Sequence, residues 1–142
     1  MANTLYDFAR QRFLAAQINW MTDTIKVLLV DTGAYTPQTA VHQYLADISI
    51  AARIAGPVTL TSKTTTGGAA DGADVTFTSV TGASIEAIVI YADTGTEATS
   101  PLIAYIDTAT GLPITPNGGD IIVTWDSLAT ELEKLVRSPL AA

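Results

Sequence analysis

Cysteine is absent from this 142-residue chain, histidine occurs once, and Lys and Arg together number only seven. Each shortage removes a class of chemistry. Without thiols there are no disulfides, thiolate metal sites, iron–sulfur clusters or cysteine nucleophiles. With His42 as the sole imidazole, a multi-histidine metal site is excluded, and any histidine-dependent triad would have to use that one ring. The basic residues are scattered, Arg10 and Arg12 being the closest pair. Nucleic-acid binding needs clustered positive charge, so no nucleic-acid partner is expected. No apolar run approaches the roughly 20 residues of a membrane-spanning helix, so no membrane partner is expected either. Met1 to Ala16 carries Asp7, Arg10 and Arg12 where a secretion signal would have an apolar core. The expectation is a soluble chain made in a cytoplasm, with no cofactor.

What fills the chain instead is apolar residues and threonine. Hydrophobic residues make up 48% and charged ones only 15%, while Thr and Ala each occur 22 times. Fourteen acids against seven bases leave a net charge of −7. A small monomer ordinarily covers itself with Lys and Glu. Here Thr, a strand-favouring residue, takes that place, which suits a protein surrounded by neighbours. The length fits a single domain, 1–142, large enough to bury a core without covalent staples.

Along the chain, residues 4–16 read as a helix with Thr4 as N-cap and Asp7 in the capping-box position. Leu5, Phe8, Ala9, Phe13 and Ala16 fall on one face of it. Thr24 to Val30 reads as a strand with both faces covered, since only Lys26 interrupts its apolar residues. Thr36-Pro37 would open a short connecting helix carrying Val41, Tyr44, Leu45 and Ile48. Beyond Gly56-Pro57 the pattern turns to alternation: Val58 and Leu60, then Val75 and Phe77. Thr81-Gly82 reads as a hairpin turn into Ile85–Tyr91. Leu102–Ile106 and Ile121–Trp125 complete the strands. A last helix, about 127–137, shows a stripe of Leu128, Leu132, Leu135 and Val136, with acids early and bases late, the favourable sense for the helix dipole. The fold class expected is mainly β: an antiparallel β-sandwich, jelly-roll-like, with short helices at both termini.

Few constellations could carry chemistry. Leu28-Leu29-Val30-Asp31-Thr32-Gly33 and Ile90-Tyr91-Ala92-Asp93-Thr94-Gly95 each resemble the Asp-Thr-Gly signature of aspartic proteases, in which two carboxylates share a proton. Against an enzyme using Asp31 stand the chain's length, the missing flap and Val123 where glycine should follow Ile121-Ile122. The simpler reading is strands leaving a sheet through the same Asp-Thr turn, echoed at Asp107-Thr108. His42 has no Gly-x-Ser-x-Gly elbow to serve. The loop acids Asp71, Asp74, Asp93, Glu97, Asp107 and Asp120 lack calcium-loop spacing. Gly67-Gly68 and Gly118-Gly119 lack the lysine of a phosphate loop. No metal ligand, cofactor site or catalytic residue is expected. The stripe of the last helix covers either the chain's own sheets or a partner. The candidate partner interface is Tyr6, Phe8, Phe13, Trp20, Leu128, Leu132 and Leu135. Trp20, Tyr6, Tyr44, Tyr91, Tyr105 and Trp125 have faces that could stack on a ligand, although aromatics on strands more often belong to the core.

Longer strings carry a kinship. Asn3 to Arg10, Ile18-Asn19-Trp20 and Thr24 to Asp31 resemble a set of small tailed-bacteriophage virion proteins. Leu102 to Pro113 and Asn117-Gly118-Gly119-Asp120 extend the resemblance to most of the chain before Asp126. It implies a capsid cement (decoration) protein on the outer face of the shell, a dimer or trimer with itself, bound to the major capsid protein. The alternative it leaves open is a tail or fibre component, with carbohydrate binding as one role.

Overall fold

A computed structural model describes residues 3–125 and the backbone of residues 140–141. Among these the chain is mainly β, with two antiparallel sheets and one α-helix. The strands are β1 (Thr4–Leu5), β2 (Thr24–Val30), β3 (Arg53–Thr59), β4 (Val75–Phe77), β5 (Ala87–Asp93), β6 (Leu102–Ile106), β7 (Ile121–Val123) and β8 (Leu140–Ala141). The helix is α1 (Asp7–Leu14). A five-stranded sheet runs β1-β6-β5-β2-β3, and a three-stranded sheet runs β4-β7-β8.

Register explains why the middle strands are apolar throughout. Val27 pairs with Ile90 and Leu29 with Ile88, so these four side chains share one face. Lys26 pairs with Tyr91, Leu28 with Val89 and Val30 with Ala87 on the other. All six residues of β5 from Ala87 to Ala92, and all five of β6, are buried. Both faces are therefore covered, and alternation disappears. One cover consists of α1, packed on β6, and the segment between β2 and β3, whose Tyr35 ring centroid lies 6.5 Å from that of Tyr105. On the other side β4 lies beside β3, where a Cβ at Gly56 would stand 2.9 Å from the Phe77 ring. Gly56 holds φ +93°, a conformation open chiefly to glycine.

The short sheet keeps the alternation that a one-sided strand should show. Val75 and Phe77 are buried while Thr76 is exposed, and Ile121 and Val123 are buried while Ile122 is exposed. Two indoles tie this part to the loop before β4: Trp20 Nε1 donates to Asp71 O at 3.2 Å and Trp125 Nε1 to Ala73 O at 2.9 Å.

Four expectations need correction. The first helix is shorter than 4–16, because Thr4 and Leu5 pair with Tyr105 and Ala104. Thr4 therefore caps nothing, and Tyr6 occupies the cap position. The connecting helix at 36–48 is replaced by 3₁₀ turns at Leu45–Asp47 and Ile50–Ala52. There Leu45 N donates to Ser100 O and Leu102 N to Gln43 O, while Asp47 captures the Gln43 and Tyr44 amides. Long-range pairing and a side-chain cap consume the groups a helix would need. The Thr81-Gly82 turn makes no hairpin, since β4 pairs with β7 and β5 with β2 and β6. A strand buried on both faces requires neighbours that continue both layers, and β4 is buried on one. Finally β3 begins at Arg53 and runs through Gly56-Pro57, which an edge strand tolerates. The helix expected at 127–137 lies outside the described residues.

Candidate functional site

The layer over the five-stranded sheet holds most of the polar side-chain chemistry. At its centre Tyr6, wholly buried, and Tyr35 share a hydrogen bond of 2.9 Å between hydroxyls. Tyr35 Oη lies 2.9 Å from His42 Nδ1, which also accepts the Gln38 amide at 3.3 Å. An amide N–H aimed at Nδ1 makes that nitrogen an acceptor, so the chain is ordered: Tyr6 donates to Tyr35 and Tyr35 to His42. Tyr35 also lies against the His42 ring, with centroids 5.4 Å apart. Burial pushes the Tyr35 hydroxyl up to about 12, and raises Tyr6 further in the same direction. Both phenols are therefore neutral at ordinary pH.

Two arginines pin this layer. Arg53 donates from Nε to Ile48 O and from Nη2 to Leu45 O and Ile48 O, and grips both Glu97 oxygens at 2.9 and 3.0 Å. That fork holds the Glu97 carboxyl below its usual range. Arg12, on α1, donates from Nη2 to Gln43 Oε1 and Tyr44 Oη. Its guanidinium sits 4.8 Å from the centroid of the Tyr44 ring and 5.6 Å from that of Phe8. Its Nη1 is buried with no hydrogen-bond partner among the described residues.

The Asp-Thr-Gly repeats are turns. Asp31 Oδ1 accepts the Gly33 amide at 2.7 Å and Asp93 Oδ1 accepts the Gly95 amide at 2.9 Å. Asp93 also pairs with Lys26 at 2.8 Å, which lowers its pKa together with the Gly95 bond. Asp31 follows Val30, opposite the start of β5, whereas Asp93 ends β5 opposite Thr24. Seven strand steps separate the two, about 24 Å, so one chain does not bring these carboxylates together.

A cleft of ≈ 500 Å³ opens at the Asp31 end of the sheet, between Pro37, Leu112 and Pro113 and over Tyr105, with Glu86 and Asp107 in its walls. Glu86 is committed to structure: it accepts the Thr32 amide and hydroxyl and the Ser84 hydroxyl. Among the described residues no group of three or more acids and His42 could hold a metal ion. No described helix is long and apolar enough to cross a membrane.

The expected interface residues divide. Tyr6 and Trp20 are buried in the chain's own core, and Phe8 and Phe13 are half-buried on α1. Leu128, Leu132 and Leu135 lie outside the described residues. Of the aromatic residues suited to stacking, Tyr44 alone escapes burial. Among the described residues, the large apolar side chains that do face outward are others: Leu14 at 89% exposure, Ile50 at 77%, Val41 at 61%, Met21 and Ile122. Ile50 carries a local signal, since it sits between Ser49 and Ala51, whereas Leu14 next to Phe13 carries none. Arg12 gave only its i, i+4 spacing from Phe8. Comparison with protein-family models gives no match, and comparison with curated proteins gives none either.

Proposed function

We propose that this chain is a non-enzymatic structural protein of a tailed-bacteriophage virion, a capsid cement protein that binds the outer shell and ties major capsid subunits together. The reading takes the two sheets as layers of one sandwich domain, associating with itself as a dimer or trimer. One observation carries it: of the large exposed apolar side chains among the described residues, Leu14 stands on α1 and Val41 and Ile50 on the segment between β2 and β3, the elements that cover the five-stranded sheet. Interior strands of that sheet bury their apolar residues completely, so this outward set is left for a neighbour. The strings from Asn3 to Arg10 and from Leu102 to Pro113, which resemble those of small phage virion proteins, support the same reading.

The mechanism is passive. Burying one such side chain against a neighbour contributes about 1.5–3 kcal/mol before the cost of association is subtracted. A lattice repeats the contact many times, and avidity turns a modest site into a durable one. The acidic surplus belongs on a face with no duty towards packaged DNA.

Copy number in purified particles tests the proposal. Hundreds of copies per particle, comparable with the major shell protein, are expected, and a handful would move the chain to a tail or fibre. Particles lacking the protein should release DNA at a lower temperature. Unchanged release would refute the cement role.

A further inference from the structure

Asn117 is the one asparagine in the chain that precedes a glycine, since Asn3 and Asn19 precede Thr4 and Trp20. That order of residues is chemically labile. Gly118 has no side chain to hinder ring closure, so its nitrogen can attack the Asn117 Cγ and form a five-membered succinimide. Residues 117–120 are exposed, and a Cβ at Gly118 would meet nothing within 4 Å. Solvent therefore has access to this peptide bond.

The fold ties up both reacting groups. Gly118 N donates to Val80 O at 2.8 Å, so the proton that must leave is held in a hydrogen bond. Asn117 Oδ1 accepts the Gly119 amide at 2.9 Å, which fixes the carboxamide in a local turn. Val80 N donates in return to Gly119 O at 3.0 Å, and Ser79 N donates to Asp120 Oδ1 at 3.0 Å. These bonds close the end of the β4–β7 pair, past Phe77 on one strand and before Ile121 on the other. Ring closure needs the Gly118 N–H released and the Asn117 side chain turned back onto it. The end of the pair must open before that happens.

We propose that Asn117-Gly118 is a deamidation site, guarded in the folded chain and reactive when the end of the β4–β7 pair opens. Hydroxide takes the Gly118 amide proton, the nitrogen bonds to Asn117 Cγ, and the Cγ–Nδ2 bond breaks to release ammonia. Water then opens the succinimide at either carbonyl, leaving aspartate or isoaspartate. Nothing is oxidised or reduced. Each event adds one negative charge to a chain that already carries −7. The two products differ in consequence. Aspartate still accepts the Gly119 amide and lets the pair close again. Isoaspartate carries the main chain through Cβ, one methylene longer, and puts Gly118 and Gly119 out of step with Val80. An opening is then recorded and made permanent. The site is independent of the association reading, and holds whether the chain sits on a shell or on a tail.

The test is incubation of the full chain in mildly alkaline buffer, with and without enough guanidinium chloride to unfold it. Peptide mapping by mass spectrometry then separates asparagine, aspartate and isoaspartate at position 117. Conversion is expected to run at least roughly tenfold slower in the folded chain than in the unfolded one. Asp120→Ala, at an exposed position, removes the acceptor of the Ser79 amide. It should raise the folded rate about threefold and leave the unfolded rate alone. In the purified isoaspartate product the Val80 and Gly118 amides should exchange hydrogen faster than in the parent, and in the aspartate product at the parent's rate. Equal conversion with and without denaturant, or faster conversion in the folded chain, overturns the proposal. A folded rate that Asp120→Ala leaves unchanged would place the control elsewhere and also overturn it. So would an isoaspartate product whose Val80 and Gly118 amides exchange as in the parent.

Discussion

Replacing Tyr35 by Phe removes one oxygen from the middle of an ordered chain of three side chains. The ring keeps its volume, so no cavity term arises. What changes is hydrogen bonding. Tyr6, at 0% exposure, loses the acceptor for its hydroxyl, whereas His42 Nδ1 keeps the Gln38 amide. A buried donor left unpaired costs about 1–3 kcal/mol. Tyr6→Phe is milder, because Tyr35 retains its bond to His42 and loses only an incoming donor, so about 0.5–1.5 kcal/mol is expected. The double variant carries no orphan. Its cost should therefore fall short of the sum of the singles by about 1 kcal/mol. Urea unfolding followed by far-ultraviolet circular dichroism measures all three, with slopes equal to the parent's if only stability has changed. Additivity within about 0.3 kcal/mol, or a Tyr6→Phe variant less stable than Tyr35→Phe, would refute the ordered chain.

Burial raises Tyr6, Tyr35, Tyr91 and Tyr105 alike, with Tyr35 and Tyr91 reaching about 12. Unfolded tyrosine ionises near pH 10. Stability is thus fully present below about pH 10 and falls as pH rises towards 12, because the unfolded chain releases protons first. Tyrosinate absorbance should grow together with loss of circular dichroism, and ionisation of all the tyrosines near pH 10 in a folded chain would contradict this. Arg53→Lys, which cannot serve Leu45 O, Ile48 O and both Glu97 oxygens at once, should cost about 1–3 kcal/mol in urea unfolding. A loss under about 0.5 kcal/mol would reduce the fork to a surface ion pair. Leu14→Glu, Val41→Glu and Ile50→Glu should each leave unfolding free energy within about 0.5 kcal/mol. Together they should abolish self-association in sedimentation velocity and binding to shells, and a triple variant that still assembles would free this layer of that role.

The strands that were easiest to read are those whose apolar runs leave no other choice. Leu102–Ile106 has its expected bounds, Thr24–Val30 likewise, and β5 is displaced by two residues from Ile85–Tyr91. Pairing order was not legible, because nothing local in Val75–Phe77 distinguishes a partner at Ile85 from one at Ile121. The segment from Thr36 to Ile48 has true helical spacing and yet forms no α-helix, for a definite reason. Its backbone groups are taken by Ser100 and by the Asp47 carboxylate, and neither contact leaves a trace in the spacing. Exposure was harder still. Phe8, Phe13 and Leu14 look alike as apolar residues on one short helix, yet only Leu14 turns fully outward. The turn chemistry of Asp31-Thr32-Gly33 and Asp93-Thr94-Gly95 is legible from residue type, since an aspartate two residues before glycine makes its own local bond.

The partner of the first strand lies near the far end of the described chain. Asn3 bonds to the backbone of Asp107 and Thr108, 104 and 105 residues further on. A ribosome adding about 5–20 residues per second therefore holds β1 and α1 without a docking strand for roughly 5–20 s. During that wait Tyr6 and Ala9 have no sheet to cover, and the eight residues of α1 are too few to hold a helix without one. Until β6 is made β1 has no partner, so the oldest part of the polypeptide waits on one of the younger.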